Sequence, residues 1–307
     1  MELNNPILKF HQNTVIEIRK QYGLDAPGRM DEAIDILEEW VKKQEHFTVK
    51  TFPRGILERI IINNKGSLET SKKKLDKACT FRTIFPNFYE SMDLHNYIGY
   101  KLVTCTLLPK MTPDHGRIII FKCHGNRFDQ IQYHYKYFLL ACEYLQAFDY
   151  STGLSFVVDL KEINIVEFVR ALNVMDVKKV MDIATEGYSM RLKGIHIISD
   201  SKAVDLFATL LRQVLKAKIG QRISCHKYLE SLYEIVPRDI LPKDYGGDDK
   251  TVVELRDDLL NELRSEKFIS HCKAMNEART NENYRLIADF NEEYLGMAGT
   301  FRTLTVD

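Results

Sequence analysis

At about residue 97 the hydrophobic pattern of this chain changes period, from the three-and-four spacing of helices to the alternation of strands. No fold built from one kind of secondary structure accommodates that switch. Before it, Ala33, Ile34, Leu37, Trp40 and Val41 fall on one stripe of a helix over residues 31–43. Asp31 and Glu32 suit the positive end of its dipole. A second helix is expected over 53–63, with Pro53 near its first turn and Asn63-Asn64-Lys65-Gly66 as its stop signal. Ser67 can cap the next helix, which runs toward Phe85 and ends near Pro86, since the residue before proline disfavours helix. Three or four such helices make a small bundle.

After the switch, two β-branched and aromatic runs, 100–108 and 117–123, flank the turn-rich stretch 109–116 and read as adjacent strands. Residues 129–148 have helical spacing through Ile131, Tyr135, Phe138, Cys142 and Leu145. Gly153 opens a strand over 154–160, a helical stretch follows over 166–185, and a further strand runs from 190 to 199. Strands separated by helices of this size imply crossovers and a largely parallel sheet. Residues 201–217 read as one amphipathic helix, with Val204, Phe207, Leu211, Val214 and Leu215 opposite Lys202, Asp205, Arg212 and Lys216. A last long helix is expected over 251–278. The resulting division is 1–90, a helical domain; 91–248, the α/β body; and 249–307, a C-terminal helix and tail packing on it.

With 43 basic and 43 acidic side chains the formal charge is zero, which gives no general attraction to nucleic acid. Membrane attraction then has to come from local clustering. The first twenty residues carry no bounded apolar block, and the longest apolar runs are far short of a membrane span, so a cytoplasmic chain is expected. The six cysteines include no C-x-x-C pair, which suggests free thiols. Phosphate-binding glycine loops, H-E-x-x-H and zinc-finger spacings are absent. Gly187-Tyr188-Ser189-Met190-Arg191 lacks the second glycine of a nucleophile elbow. No metal, cofactor or catalytic residue is therefore expected, and the chain reads as a non-enzyme.

The stretch Tyr188-Ser189-Met190-Arg191-Leu192-Lys193-Gly194-Ile195-His196-Ile197-Ile198 resembles the lipid-binding core of the CRAL-TRIO family, at its tocopherol- and retinaldehyde-carrier branch. Further matches follow in the family's order: Gly153-Leu154-Ser155-Phe156-Val157-Val158-Asp159, the amphipathic segment 201–215, Lys218-Ile219-Gly220-Gln221-Arg222-Ile223, and Ile240-Leu241-Pro242-Lys243-Asp244-Tyr245-Gly246-Gly247. Gly296-Met297-Ala298-Gly299-Thr300-Phe301-Arg302 is similar to the tail of many arthropod members. Departures are Ser199-Asp200-Ser201 for Asn-x-Pro and His226-Lys227 for His-Gly. Asn64 stands at a headgroup-binding arginine.

The resemblance implies a CRAL-TRIO lipid-binding domain, a mixed and largely parallel sheet flanked by helices with a mobile gate helix, preceded by a small all-α bundle. It implies a cavity lined by Tyr135, Phe138, Cys142, Leu154, Phe156, Val158, Leu172, Val180, Ile183, Tyr188, Met190, Leu192, Ile195 and Ile197, closed from the gate by Phe207, Ala208 and Leu211. Tyr135, Tyr188 and Cys142 are its candidate polar contacts. Strand alternation turns Arg191 and Lys193 away from Met190 and Leu192. With Lys218 and Arg222, four apart on one helical face, they would meet anionic headgroups, phosphoinositides among them. The implied function is a monomeric carrier that takes one hydrophobic lipid and exchanges it while transiently on membranes. A lipid-responsive sensor that regulates a protein partner is the alternative.

Overall fold

Four helices come first: α1 (Thr14–Gln21), α2 (Arg29–Lys43), α3 (Arg54–Asn63) and α4 (Leu68–Ile84). The structure is a computed structural model that describes residues 4–96, 99, 102–125, 128 and 131–285. The α2 stripe buries Ala33, Ile34, Leu37 and Val41 against Leu57, Ile61 and Cys79 of α3 and α4. The Ser67 hydroxyl accepts from the Thr70 N–H at 3.3 Å and starts α4, which stops one residue before Phe85.

The sheet has five strands in the order β1 (Val103–Leu107), β2 (Arg117–His124), β3 (Leu154–Glu162), β4 (Leu192–Ile198) and β5 (Ile223–His226). β1 runs antiparallel to β2, and the other pairings are parallel. Crossovers supply α5 (Ile131–Phe148), then α6 (Ile165–Ala171) with α7 (Val174–Asp182), then α8 (Val204–Val214) with α9 (Ala217–Gly220). After β5 come α10 (Glu230–Tyr233), α11 (Val252–Leu263) and α12 (Glu266–Asn276). Alternation gives the sheet two apolar faces. Ile119, Phe156 and Ile197 join the core under α5–α8, whereas Ile118, Ile120, Val157 and Ile198 pack with Leu232, Leu241 and Leu255 on the other side.

Several expected elements are broken. The stretch 166–185 is α6, α7 and a π-turn at Ile183–Gly187, because the Asn173 side chain caps a new helix start inside it. The helix over 201–217 ends at Val214, and α9 is a separate turn. The last helix divides at Ser265, whose hydroxyl caps α12 by accepting from Phe268 N–H at 3.2 Å. Two elements carried too little pattern to be read: α1, and β5, where only Ile223 and His226 are buried. Residues 100–101 and 129–130 of the expected strand and helix, and the tail motif at 296–302, lie outside the described residues.

Candidate functional site

The β4 backbone sets the floor of the site. Leu154 pairs with Leu192 but Ser155 pairs with Gly194, so Lys193 is an inserted residue in the ladder. The insertion reverses the alternation, and Leu192, Ile195 and Ile197 all reach the core on one face. Gly153 permits the junction. Its φ is +142°, and a Cβ there would stand 2.5 Å from the Arg191 carbonyl oxygen.

Between this face and the helices lies a cavity of about 160 Å³. Its floor is Val103, Phe121, Cys123, Phe156, Val158 and Ile195; α5 contributes Ile131, His134, Tyr135 and Phe138. Phe168, Leu172, Val177, Val180 and Met181 form a side wall, and Phe207, Leu211 and Leu215 a roof. Phe121, Phe138 and Phe156 pack edge to face with ring centroids 5.4–5.6 Å apart. Phe168 meets Phe207 of the roof at 5.5 Å. The wall is uncharged at neutral pH. Burial lowers the His134 imidazole to about 4. Burial, helped by Asp176, raises the Tyr135 phenol to about 12. The Tyr135 hydroxyl is buried and has no hydrogen-bond partner among the described residues.

The structure brings Tyr135, Phe138, Phe156, Val158, Leu172, Val180, Ile195, Phe207 and Leu211 together on this wall. Cys142, Leu154, Ile183, Tyr188, Met190, Leu192, Ile197 and Ala208 are instead in the continuous core beyond it. For Tyr188 the reason is electrostatic: its hydroxyl bonds to Glu143 and its ring lies 5.7 Å from the Arg82 guanidinium. Cys142 lies one turn beyond Phe138 on α5 and is fully buried. Sequence reasoning missed Val103, Phe121, Cys123, Ile131, His134, Phe168, Val177, Met181 and Leu215. The alternation of Phe121 and Cys123 with Ile118 and Ile120 would have placed the first two residues on one face.

α8 roofs the cavity with Phe207 and Leu211, while its N-cap Ala203 makes no side-chain cap. Leu206 on its outer side is 47% exposed, and Val174 and Met175 at the start of α7 are also exposed.

Three of the four expected basic residues share one electrostatic neighbourhood. Arg191, first, then burial, Lys218 and Arg222 hold the exposed Lys65 ammonium below its usual pKa. Arg191 donates to the Tyr22 hydroxyl at 2.7 Å, and Arg222 donates to the Leu192 carbonyl. Lys218 and Arg222 do not share a helical face, because α9 ends at Gly220. Lys193 stands apart, bonded to Asp114 at 2.6 Å and Thr152 at 2.5 Å, because the inserted residue points to the other side of the sheet. Asn64 bonds to the Ile60 carbonyl and lies 3.4 Å from the Ser189 hydroxyl.

A larger cleft of about 660 Å³ lies between the bundle and α11–α12, but charged side chains line it, among them the Arg19–Glu58 pair, Arg59 and Glu262. Among the described residues no helix is long and apolar enough to cross a membrane.

The model of the CRAL/TRIO domain matches residues 104–247. A mouse protein named alpha-tocopherol transfer protein-like is 38% identical over 71 residues, 23% of this chain and 21% of that protein. The human protein of that name is 37% identical over the same length. The match thus spans about a fifth of the length of these relatives, 21%. The crystal structure of Sfh5 superposes on 81% of this chain and 92% of its own, with a TM-score of 0.50 at 12% identity, a likeness of fold.

Proposed function

Because this chain is a member of the CRAL-TRIO family, we propose that it is an intracellular carrier that encloses one hydrophobic lipid and exchanges it at anionic membrane surfaces. The observation that supports this reading best is the uncharged, aromatic-lined cavity between the sheet and α8. Removing apolar ligand surface from water into such a wall yields roughly 25 cal/mol per Å², and the reading requires no covalent chemistry. A cavity of about 160 Å³ is smaller than the roughly 300–1,000 Å³ of small-molecule pockets, so loading moves a wall outward. α8 is the candidate wall, since its N-terminus lacks a side-chain cap.

Docking would use Lys65, Arg191, Lys218 and Arg222 against phosphate headgroups, with Leu206, Val174 and Met175 entering the interface. Lys65 gives back, one residue along, the positive charge that Asn64 lacks. The names of the mouse and human relatives favour a tocopherol-like cargo as the first candidate. Purified protein is expected to move a fluorescent tocopherol or retinoid from donor to acceptor liposomes. Transfer no faster than spontaneous exchange, in an assay where a known carrier works, would overturn the proposal.

A further inference from the structure

We propose a second small-molecule site on the face of the sheet opposite α8, where His196 Nε2 accepts a hydrogen bond from an organic cation. The ligand class is a protonated amine or guanidinium with an apolar body. This site stands apart from the lipid cavity and from the carrier reading.

Hydrogen-bond directions fix where the protons sit. The Ser231 hydroxyl has a single proton and donates it to the Tyr228 carbonyl at 2.7 Å. Toward His226 Nδ1, 3.0 Å away, it therefore only accepts, so Nδ1 carries the His226 proton. A neutral imidazole has one N–H, which leaves His226 Nε2 as an acceptor. His196 Nδ1, 3.2 Å from it, is then the donor, and the His196 proton is committed in turn. Its Nε2 keeps a bare lone pair. Burial above all, then His226, lowers the His196 imidazole to about 4, and burial lowers His226 as well, so both rings are neutral at pH 7.

That lone pair belongs to a cleft of about 500 Å³ whose lining exposes polar as well as apolar surface. His196 is only 6% exposed, and its Nε2 stands over Gly194, where a Cβ would come within 2.7 Å of it. The missing side chain at 194 makes room for the ring. Nε2 has no hydrogen-bond partner among the described residues, yet it is not among the atoms sealed from solvent. Ser155 pairs with Gly194 across the sheet and lines the same cleft, with a hydroxyl that also has no partner among the described residues. An acceptor held this deep gains more from a guest's N–H than an exposed one would.

The charges say which guest. The cations of the cleft are already matched: Lys193 bonds to Asp114 at 2.6 Å, and Arg117 to Asp149 at 2.7 Å. Glu234, just past α10, lines the cleft, is exposed and has no ion pair among the described residues. The unmet groups are thus an imidazole lone pair, a hydroxyl and a carboxylate, all of which accept from a positively charged N–H donor. A metal ion needs a fuller set, and among the described residues no three His, Cys, Asp or Glu side chains gather to hold one. Pro113, Pro237, Ile235 and Tyr233 supply apolar wall for the rest of the molecule.

The test titrates the full chain with phenethylammonium, 2-phenylethanol and phenylacetate, one skeleton in three charge states, and follows the histidine ring nitrogens by long-range proton–nitrogen NMR. Without ligand, His196 should show its proton on Nδ1 and none on Nε2. Phenethylammonium should shift that Nε2 and bind at least about tenfold more tightly than 2-phenylethanol, with phenylacetate weaker still. Glu234→Gln should reduce the preference for the ammonium by roughly twofold to fivefold and leave the Tm unchanged. A proton on His196 Nε2 would overturn the site, and so would a His196 ring that does not respond to saturating amine. Equal binding of the three probes, or binding of none, overturns it too, as does an ammonium preference undiminished in Glu234→Gln. None of these outcomes bears on the lipid cavity, which liposome transfer tests by itself.

Discussion

Arg82 and Glu143 meet at 2.8 Å with side chains 1% and 5% exposed, and the pair ties α4 of the bundle to α5 under the sheet. His271 of α12 bonds to the second Glu143 oxygen at 2.9 Å, and the rings of Tyr89 and Tyr188 lie against the guanidinium. Burial alone would raise the Glu143 carboxyl, but Arg82, His271 and Tyr188 together hold it down to about 2. Removing Arg82 leaves a buried carboxylate without its counter-charge, so Arg82→Met is expected to cost about 3–5 kcal/mol in urea unfolding. A loss under 1 kcal/mol would mean that the carboxylate simply takes up a proton. Because the folded-state pKa is depressed, the stabilisation is present above the ordinary glutamate value, near 4.3, and is lost as pH falls toward 2. The slope of stability against pH in that window should flatten in Glu143→Gln; an unchanged slope would assign acid sensitivity to other carboxylates. Neither residue drew attention in the sequence, since apolar periodicity reports burial and not which buried polar groups meet. The same limit placed Tyr188 on the cavity wall, when its hydroxyl belongs to Glu143.

The crossover helices were legible as apolar stripes and illegible as separate pieces, because the stripe keeps its phase across each break. Two breaks had local signals: Asn173 between α6 and α7, and Ser265 between the C-terminal α11 and α12, each side chain accepting from backbone N–H of the helix that follows. Strand parity misled less than it could have, since the inserted Lys193 put Leu192 and Ile195 on one face despite their odd spacing. One break has a mechanical consequence. Lys216, between α8 and α9, bonds to Glu186 of the π-turn at 2.5 Å, and Lys74 of α4 holds the other Glu186 oxygen at 2.7 Å. The roof helix is thus pinned at its C-terminal end to the bundle. With the Lys216 side chain 55% exposed, the pin contributes up to about 1 kcal/mol. Glu186→Gln should therefore speed retinol transfer between vesicles by up to roughly fivefold, if the α8 hinge limits exchange. A transfer rate equal to that of the unaltered protein would show that opening occurs elsewhere.

At the scale of the whole chain, strand–helix alternation was enough to anticipate a parallel sheet behind a helical bundle. It did not show that α11 and the segment around Leu232 and Leu241 would close the far face. Those contacts join residues far apart in sequence, and no local pattern encodes them. The same long-range folding brings Lys65 from the end of α3 to Arg191, Lys218 and Arg222, although nearly 160 residues separate it from the last of these. On the proposed docking, each cation of this cluster would be worth about 1 kcal/mol at an anionic bilayer. Arg222 is a poor probe of it, since its guanidinium also holds the Leu192 carbonyl of β4. Lys65 and Lys218 are both exposed and test the cluster cleanly. Lys65→Ala with Lys218→Ala should weaken partitioning onto vesicles containing phosphatidylserine by roughly thirtyfold at low salt, with the difference shrinking as ionic strength rises. Binding of retinol in the absence of vesicles should be unaffected. A double variant that partitions like the unaltered protein would remove this cluster from docking. One that loses retinol affinity as well would assign both lysines to the integrity of the fold instead.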